Sequence, residues 1–355
     1  MSQRRETISL ILFLLLSIVV LVISGFVLSK LIGQPEQQKS DSTSPTDHTI
    51  ETPSLGKKVP LEKTLTGNPG QIESIAISAD GQIIATGSND GNIQLWNWRK
   101  EEPTINPPFK MDGSTRSLAF SLNGNILVSG GLSNDIYIWE IPKEASPRSI
   151  KNAHSFLIES LTISPVDGNI LASGSDDGTI RLWNLQTGKP IISFGEKHPD
   201  IKFLTISPDG KTLASSSSNG TIKLWNLENG EEKLSLKSHS GEVTHLIFKN
   251  DEFLVSGSDN GTIKLWNLKT GQLIDSLEGH SRAVTSLDIS LDGQKLASGS
   301  RDGTVRVWDL VNNKPLQTYS LSDNSKENIA LTFYKDGQIL IFGYQSKSIK
   351  AWLTR

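Results

Sequence analysis

Seven tryptophans divide most of the chain into units of nearly equal length, and that spacing limits the available folds more than any other feature. They fall at Trp96, Trp139, Trp183, Trp225, Trp266, Trp308 and Trp352, at intervals of 43, 44, 42, 41, 42 and 44 residues. Each closes a variant of one phrase. LASGSDDGTIRLWNL begins at Leu171, LASSSSNGTIKLWNL at Leu213, LVSGSDNGTIKLWNL at Leu254 and LASGSRDGTVRVWDL at Leu296, with looser copies at Ile84, Leu127 and Leu340. Within a unit the small residues form a strand that a neighbouring unit can approach closely. Asp-Gly or Asn-Gly makes a tight turn in which glycine supplies a positive φ. The alternating β-branched residues before tryptophan form the return strand. A period of about 40 to 45 residues with four short strands per unit predicts an all-β fold, a seven-bladed β-propeller of four-stranded antiparallel blades.

The array resembles the WD-repeat family of β-propellers, and the resemblance covers residues 59–355. It implies a buried hydrogen-bonded group of four in each blade: a histidine ahead of the innermost strand, a serine or threonine on the second, an aspartate in the next turn and a tryptophan on the third. The third blade carries His154, Ser173, Asp177 and Trp183, and the sixth His280, Ser298, Asp302 and Trp308. Elsewhere the pattern is broken. Asn219 and Asn260 stand at the turn aspartate of blades four and five, Asn68 at the histidine of blade one and Ser133 in the turn of blade two, while blade seven keeps only its tryptophan. A buried imidazole or carboxylate is costly unless paired, so these histidines read as structural; histidines spread one per blade do not make a metal cluster.

A net charge of -3 offers no basic stripe, so nucleic acid is a poor partner, and the absence of cysteine removes disulfide and thiol chemistry. Residues 1–7 form a short polar tail. Ile8 to Ser29 is a run of 22 residues without a charge, followed by Lys30. At about 1.5 Å per residue it makes roughly 33 Å of helix, enough to cross a bilayer. A cleaved secretory signal is the alternative; its apolar region is usually about 7 to 15 residues, and the flank here, Phe26-Val27-Leu28, is bulky. Arg4, Arg5 and the amino terminus precede the span, and Lys30 and Lys39 follow it. This balance favours a cytoplasmic N-terminus and a propeller outside, in a periplasm or lumen. Residues 30–58 are polar and read as a flexible linker, with a root-mean-square reach of about 25 to 30 Å. Leu61 to Leu65 is a strand without a blade, and the last repeat lacks its outer strand. Pairing of 61–65 with 347–353 is expected to close the ring and cover an edge.

Catalytic signatures are missing. Asp209-Gly210-Lys211-Thr212 contains the end of a phosphate loop, but Thr205 occupies the position of its first glycine and no helix follows. The Asp-Gly turns lack the acidic ladder and distant glutamate of a calcium loop, and there is no nucleophile elbow or kinase signature. The Thr-Gly that precedes tryptophan in quinone-binding propellers here follows it, as in Trp183 to Gly188. No cofactor or metal is implied.

What the resemblance implies is a non-enzymatic scaffold, a monomeric propeller that binds proteins. The apolar span adds a bilayer anchor and membrane-associated partners, and the regular Trp-Asn-Leu repeats are similar to those of bacterial, especially cyanobacterial, members. The turn positions before the structural aspartate are Asn89, Leu132, Asp176, Ser218, Asp259, Arg301 and Gln345, and the entry loops add Phe156, Asp200, Glu242, Arg282 and Lys326. Of these the candidate protein-binding face is Leu132, Phe156, Asp176, Glu242, Asp259, Arg282 and Arg301. A leucine and a phenylalanine beside charged flanks suit a protein patch. The rival reading is a sensor for a small ligand or glycan, which requires a closed concave pocket with convergent polar groups.

Overall fold

The computed structural model describes residues 61–98, 100, 102–105, 108–141, 146–195, 200–321, 328–334, 337–344 and 347–354. These form seven antiparallel sheets, and each sheet is one blade. The polar tail 1–7, the span expected over 8–29 and the linker 30–58 lie outside the described residues. Among the described residues no helix is long and apolar enough to cross a membrane.

The third blade shows the plan. Its inner strand Ile158–Ile163 pairs with Ile170–Ser175, which pairs with Ile180–Asn184, which pairs with the outer strand Pro190–Phe194. Consecutive inner strands lie side by side, and that of blade seven, Ala330–Phe333, meets that of blade one, Ile72–Ile77, so the ring closes. The seam is completed by Leu61–Thr66, which runs antiparallel to Ser348–Leu353 with Leu61 opposite Trp352 and Thr66 opposite Ser348. Blade one departs from four strands. Its outer edge is split into Glu102–Pro103 and Phe109–Lys110, both paired to Asn92–Asn97. Pro103 and Pro108 withhold the N–H groups that a continuous strand requires.

The core lies between blades. Trp308 is 1% exposed and packs with Val255, Ile263 and Leu265 of the preceding blade, and Trp183 sits likewise among Val128, Ile136 and Ile138. An indole buries about 150–250 Å², on the order of 4 to 6 kcal/mol at about 25 cal/mol per Å². This exceeds what the hydrogen bonds add, at about 1 kcal/mol each. Packing therefore holds the ring together, and the polar groups fix how each indole sits. The close approach depends on a missing side chain: a Cβ on Gly174 would lie 2.7 Å from Ile201 of the next blade, and one on Gly257 would lie 2.8 Å from Val284. Blade four places Ser216 at the corresponding position, and its buried hydroxyl has no hydrogen-bond partner.

Candidate functional site

The histidines expected to be structural are fully engaged. His154 Nδ1 lies 3.0 Å from Asp177 Oδ2 and its Nε2 2.7 Å from Ser173 Oγ, which accepts the Trp183 indole N–H at 2.8 Å. His280, Asp302, Ser298 and Trp308 repeat this at 2.9, 2.7 and 2.8 Å. A carboxylate can only accept, so the imidazole proton sits on Nδ1. Burial opposes ionisation of Asp177. Hydrogen bonds from the Thr179 hydroxyl and the Ser155 N–H, with His154 beside it, outweigh that and hold its carboxyl at about 2. Burial holds His154 below the ordinary histidine range, against the pull of Asp177. No lone pair is left for a substrate or metal, and among the described residues no three metal-ligating side chains converge.

Blade five carries a variant that the repeat pattern hides. His239 occupies the histidine place, with Nε2 2.8 Å from Ser256 Oγ, but its Nδ1 turns to the Thr262 hydroxyl at 2.9 Å. Asn260 accepts from that hydroxyl at 2.7 Å and gives its amide N–H to Ser240. With no carboxylate beside it, burial and the Lys264 charge push His239 down to about 4. The signal is weak because asparagine, Asn260, stands where the aspartate partner of His239 would be.

One face is assembled by a repeated backbone link between entry loop and turn. Leu132 N–H donates to Ser114 O, Asp176 to Leu157 O, Asp259 to Glu242 O and Arg301 to Ala283 O, at 2.9 to 3.2 Å. In six blades the inner strand then carries a β-bulge. Ile72 faces Ser88 and Ser74 faces Gly87, leaving Glu73 unopposed. The extra residues in the next five blades are Arg116, Glu159, Lys202, Thr244 and Thr285. A bulge bends the strand and re-aims the extra side chain. All six extra residues line a cavity of about 600 Å³ among the inner strands. Charge alternates around blades one to four, and hydroxyls follow in five and six.

Of the proposed face residues, this cavity gathers Glu242, Asp259 and Arg301. Asp176 joins through Lys202, whose ammonium lies 2.7 Å from Asp176, 3.7 Å from Glu159 and 3.9 Å from Asp200. Leu132 and Phe156, 54% and 62% exposed, and Arg282 stand outside the lining. Phe156 is nevertheless tied to it, because its carbonyl accepts from Ser175, next to Asp176. Two further face positions, Lys326 and Gln345, lie outside the described residues. Burial raises the Glu159 and Glu242 carboxyls above their usual range; Arg116 and Lys202 beside Glu159, and Lys202 and Arg301 beside Glu242, only partly offset this. The bulge residues were not singled out from the sequence, since a one-residue shift breaks the two-residue alternation by which a strand's faces are read.

Comparison with known proteins agrees with this architecture. Residues 56–269 match the family model described as IFT122 first beta-propeller, and residues 271–309 match that of the WD domain, G-beta repeat. Nuclear distribution protein PAC1 of Coccidioides posadasii is 31% identical over 166 residues, 43% of this chain and 35% of that protein. Human DDB1- and CUL4-associated factor 5 is 25% identical over 128 residues, 35% of this chain and 14% of that protein. Bovine striatin-3 is 26% identical over 160 residues, 42% and 16% respectively. The chain spans about a third or less of the length of these relatives.

Proposed function

Because the chain belongs to the family described as IFT122 first beta-propeller and is built of WD repeats, we propose that it is a non-enzymatic protein-interaction scaffold, tethered to a membrane, whose partners dock on the face around the bulge-lined cavity. The observation that carries this is the ring of six bulge residues, which places charge around one opening while His154 and His280 are consumed in their blades. Exposed Phe156 and Leu132 supply apolar contact beside it. A relative named for its association with DDB1 and CUL4 is consistent with a role in protein assembly. The charge-free run Ile8 to Ser29 supports the tether, and Arg4 and Arg5 favour a propeller outside the cytoplasm. Confinement near a bilayer raises the effective concentration of membrane-bound partners, so weak contacts suffice.

The test is proximity labelling in living cells from an enzyme fused after Arg355, comparing wild type with a Phe156→Asp, Arg282→Glu variant. A reproducible protein set tagged by the wild type and lost by the variant is expected, and its members report the compartment. A wild type that enriches nothing over an inert tethered control would overturn the scaffold reading and leave the cavity to a small ligand.

A further inference from the structure

We infer that the face opposite the cavity rests on a zwitterionic lipid surface, touching it with the apolar tips of its turns, so that the cavity looks away from the bilayer. This rests on the proposed tether and names what the tether brings the propeller against.

This second face is built as regularly as the first. In each blade the turn between inner and second strands is tied by one backbone bond to the residue that follows the third strand, as in Leu185 N–H to Asn169 O at 2.7 Å and Leu310 N–H to Gln294 O at 2.8 Å. Four of the turns share a prop. Ser78 donates to Asp80, Ser207 to Asp209 and Ser290 to Asp292, each at 2.6 Å, and Ser121 to Asn123 at 2.8 Å. Each bond closes beneath the residue between its partners, and that residue is exposed in all four: Ala79, Leu122, Pro208 and Leu291. Proline suits a turn and leucine does not, yet Leu122 is 47% and Leu291 89% exposed. Blade three lengthens its turn by one residue and adds Val166, 63% exposed, beside Pro165. Val311 is exposed on the same face, where blades three, four and five carry Gln186, Glu228 and Lys269.

The point at which the chain enters says what covers these tips. Leu61 stands opposite Trp352, at the end of the strand that Thr354 ties to the turn at Gln338, whereas Thr66 stands opposite Ser348 and leads through Gly67 toward the cavity face. Residues 30–60 therefore join the apolar run Ile8 to Ser29 to the propeller at the second face. A polar coil of that length reaches about 30 Å root-mean-square, which brings a bilayer within range of the tips.

Charge selects the lipid. Hydrogen bonds from Ser207 and Ser290 hold the Asp209 and Asp292 carboxyls below the usual carboxylate range, so both stay ionised just behind the tips and oppose an anionic surface. Lys189 and Lys314, exposed where outer strands begin, supply cations for lipid phosphates. A surface with both signs matches a phosphocholine headgroup, and the apolar tips enter the interface without any change in the blades.

The test exploits a chain without cysteine. Leu291→Cys, Leu122→Cys and, on the cavity face, Phe156→Cys each receive one fluorophore, and the full chain is reconstituted in phosphatidylcholine vesicles containing headgroup spin-labelled lipid. Quenching is expected to be about threefold stronger for Leu291→Cys and Leu122→Cys than for Phe156→Cys. Combined Leu122→Asp and Leu291→Asp is expected to remove the quenching of a fluorophore at Val166→Cys, with the melting temperature unchanged because both tips are exposed. Equal quenching on the two faces, or none in a chain that floats with the vesicles, overturns the lipid contact and leaves the tether standing. Shielding of Leu291→Cys from iodide that persists in detergent overturns it in favour of a second copy on this face. A chain that does not float with the vesicles overturns the tether and the contact together.

Discussion

Blades three and six differ from blades four and five in how their polar groups are used. In the first pair a buried carboxylate, imidazole, hydroxyl and indole satisfy one another completely. In the second pair asparagine replaces the aspartate, Ser216 keeps an unpaired hydroxyl and His245 an unpaired nitrogen. Both pairs bury their tryptophans, so the fold tolerates the loss. The polar network is thus not what makes a blade. The pair in which it is incomplete supplies Phe203, Glu242 and His245 to the cavity.

Alanine substitutions test this contrast most strongly. Asp302→Ala and Asp177→Ala each leave a buried histidine unpaired and are expected to lower stability by about 1 to 3 kcal/mol. Asn260→Ala at its exposed turn is expected to cost under about 1 kcal/mol. Equal losses in chemical denaturation would erase the distinction between the blades.

Acid should separate the same regions by pH. Asp177 at about 2, and Asp302, also below its ordinary 3.8, contribute stability that is present above pH 4 and lost only as pH falls through the folded values. His239 and His245 are pushed down from 6.5 to about 4, so the unfolded chain takes up protons that the folded chain does not. Their contribution is complete above pH 6.5 and shrinks steadily toward pH 4. Hydrogen exchange at pH 7.5 and pH 5 should show protection falling first in Phe253–Ser258 and later in Lys295–Ser300. Simultaneous loss would contradict that order.

Restoring the missing carboxylate is a smaller and opposite change. Asn260→Asp is expected to add about 1 kcal/mol and to raise the titration midpoint of His239, read by NMR, because the aspartate at the matching turn of blades three and six bonds Nδ1 of its histidine. An unmoved midpoint would mean that the turn does not reach the ring. Ser216→Ala keeps the Cβ and removes the unpaired hydroxyl, with an expected gain of about 0.5 kcal/mol in thermal melting. A loss instead would reveal a partner for that hydroxyl.

The fold was readable because tryptophan spacing reports blade repetition directly, and the four-residue groups of blades three and six because every member is spelled in place. Leu132, Phe156, Asp176, Glu242, Asp259, Arg282 and Arg301 could be assigned to one face from turn positions, but not sorted into lining and rim. That sorting depends on the bulge between Ile201 and Phe203 and its five counterparts, a matter of register that leaves no fixed residue type behind: glutamate, arginine, lysine and threonine all occupy it.

The pairing of Leu61–Thr66 with Ser348–Leu353 also sets a timetable for biosynthesis. The first of the described strands to leave the ribosome must wait for the last of them. Six blades can assemble one after another behind it, each resting on its predecessor, but the circle cannot shut until translation has passed residue 353. Over that interval the nascent chain is an open arc with a bare strand at one end and an incomplete sheet at the other. The final hydrogen bonds to form are the ones that turn a growing stack into a closed body.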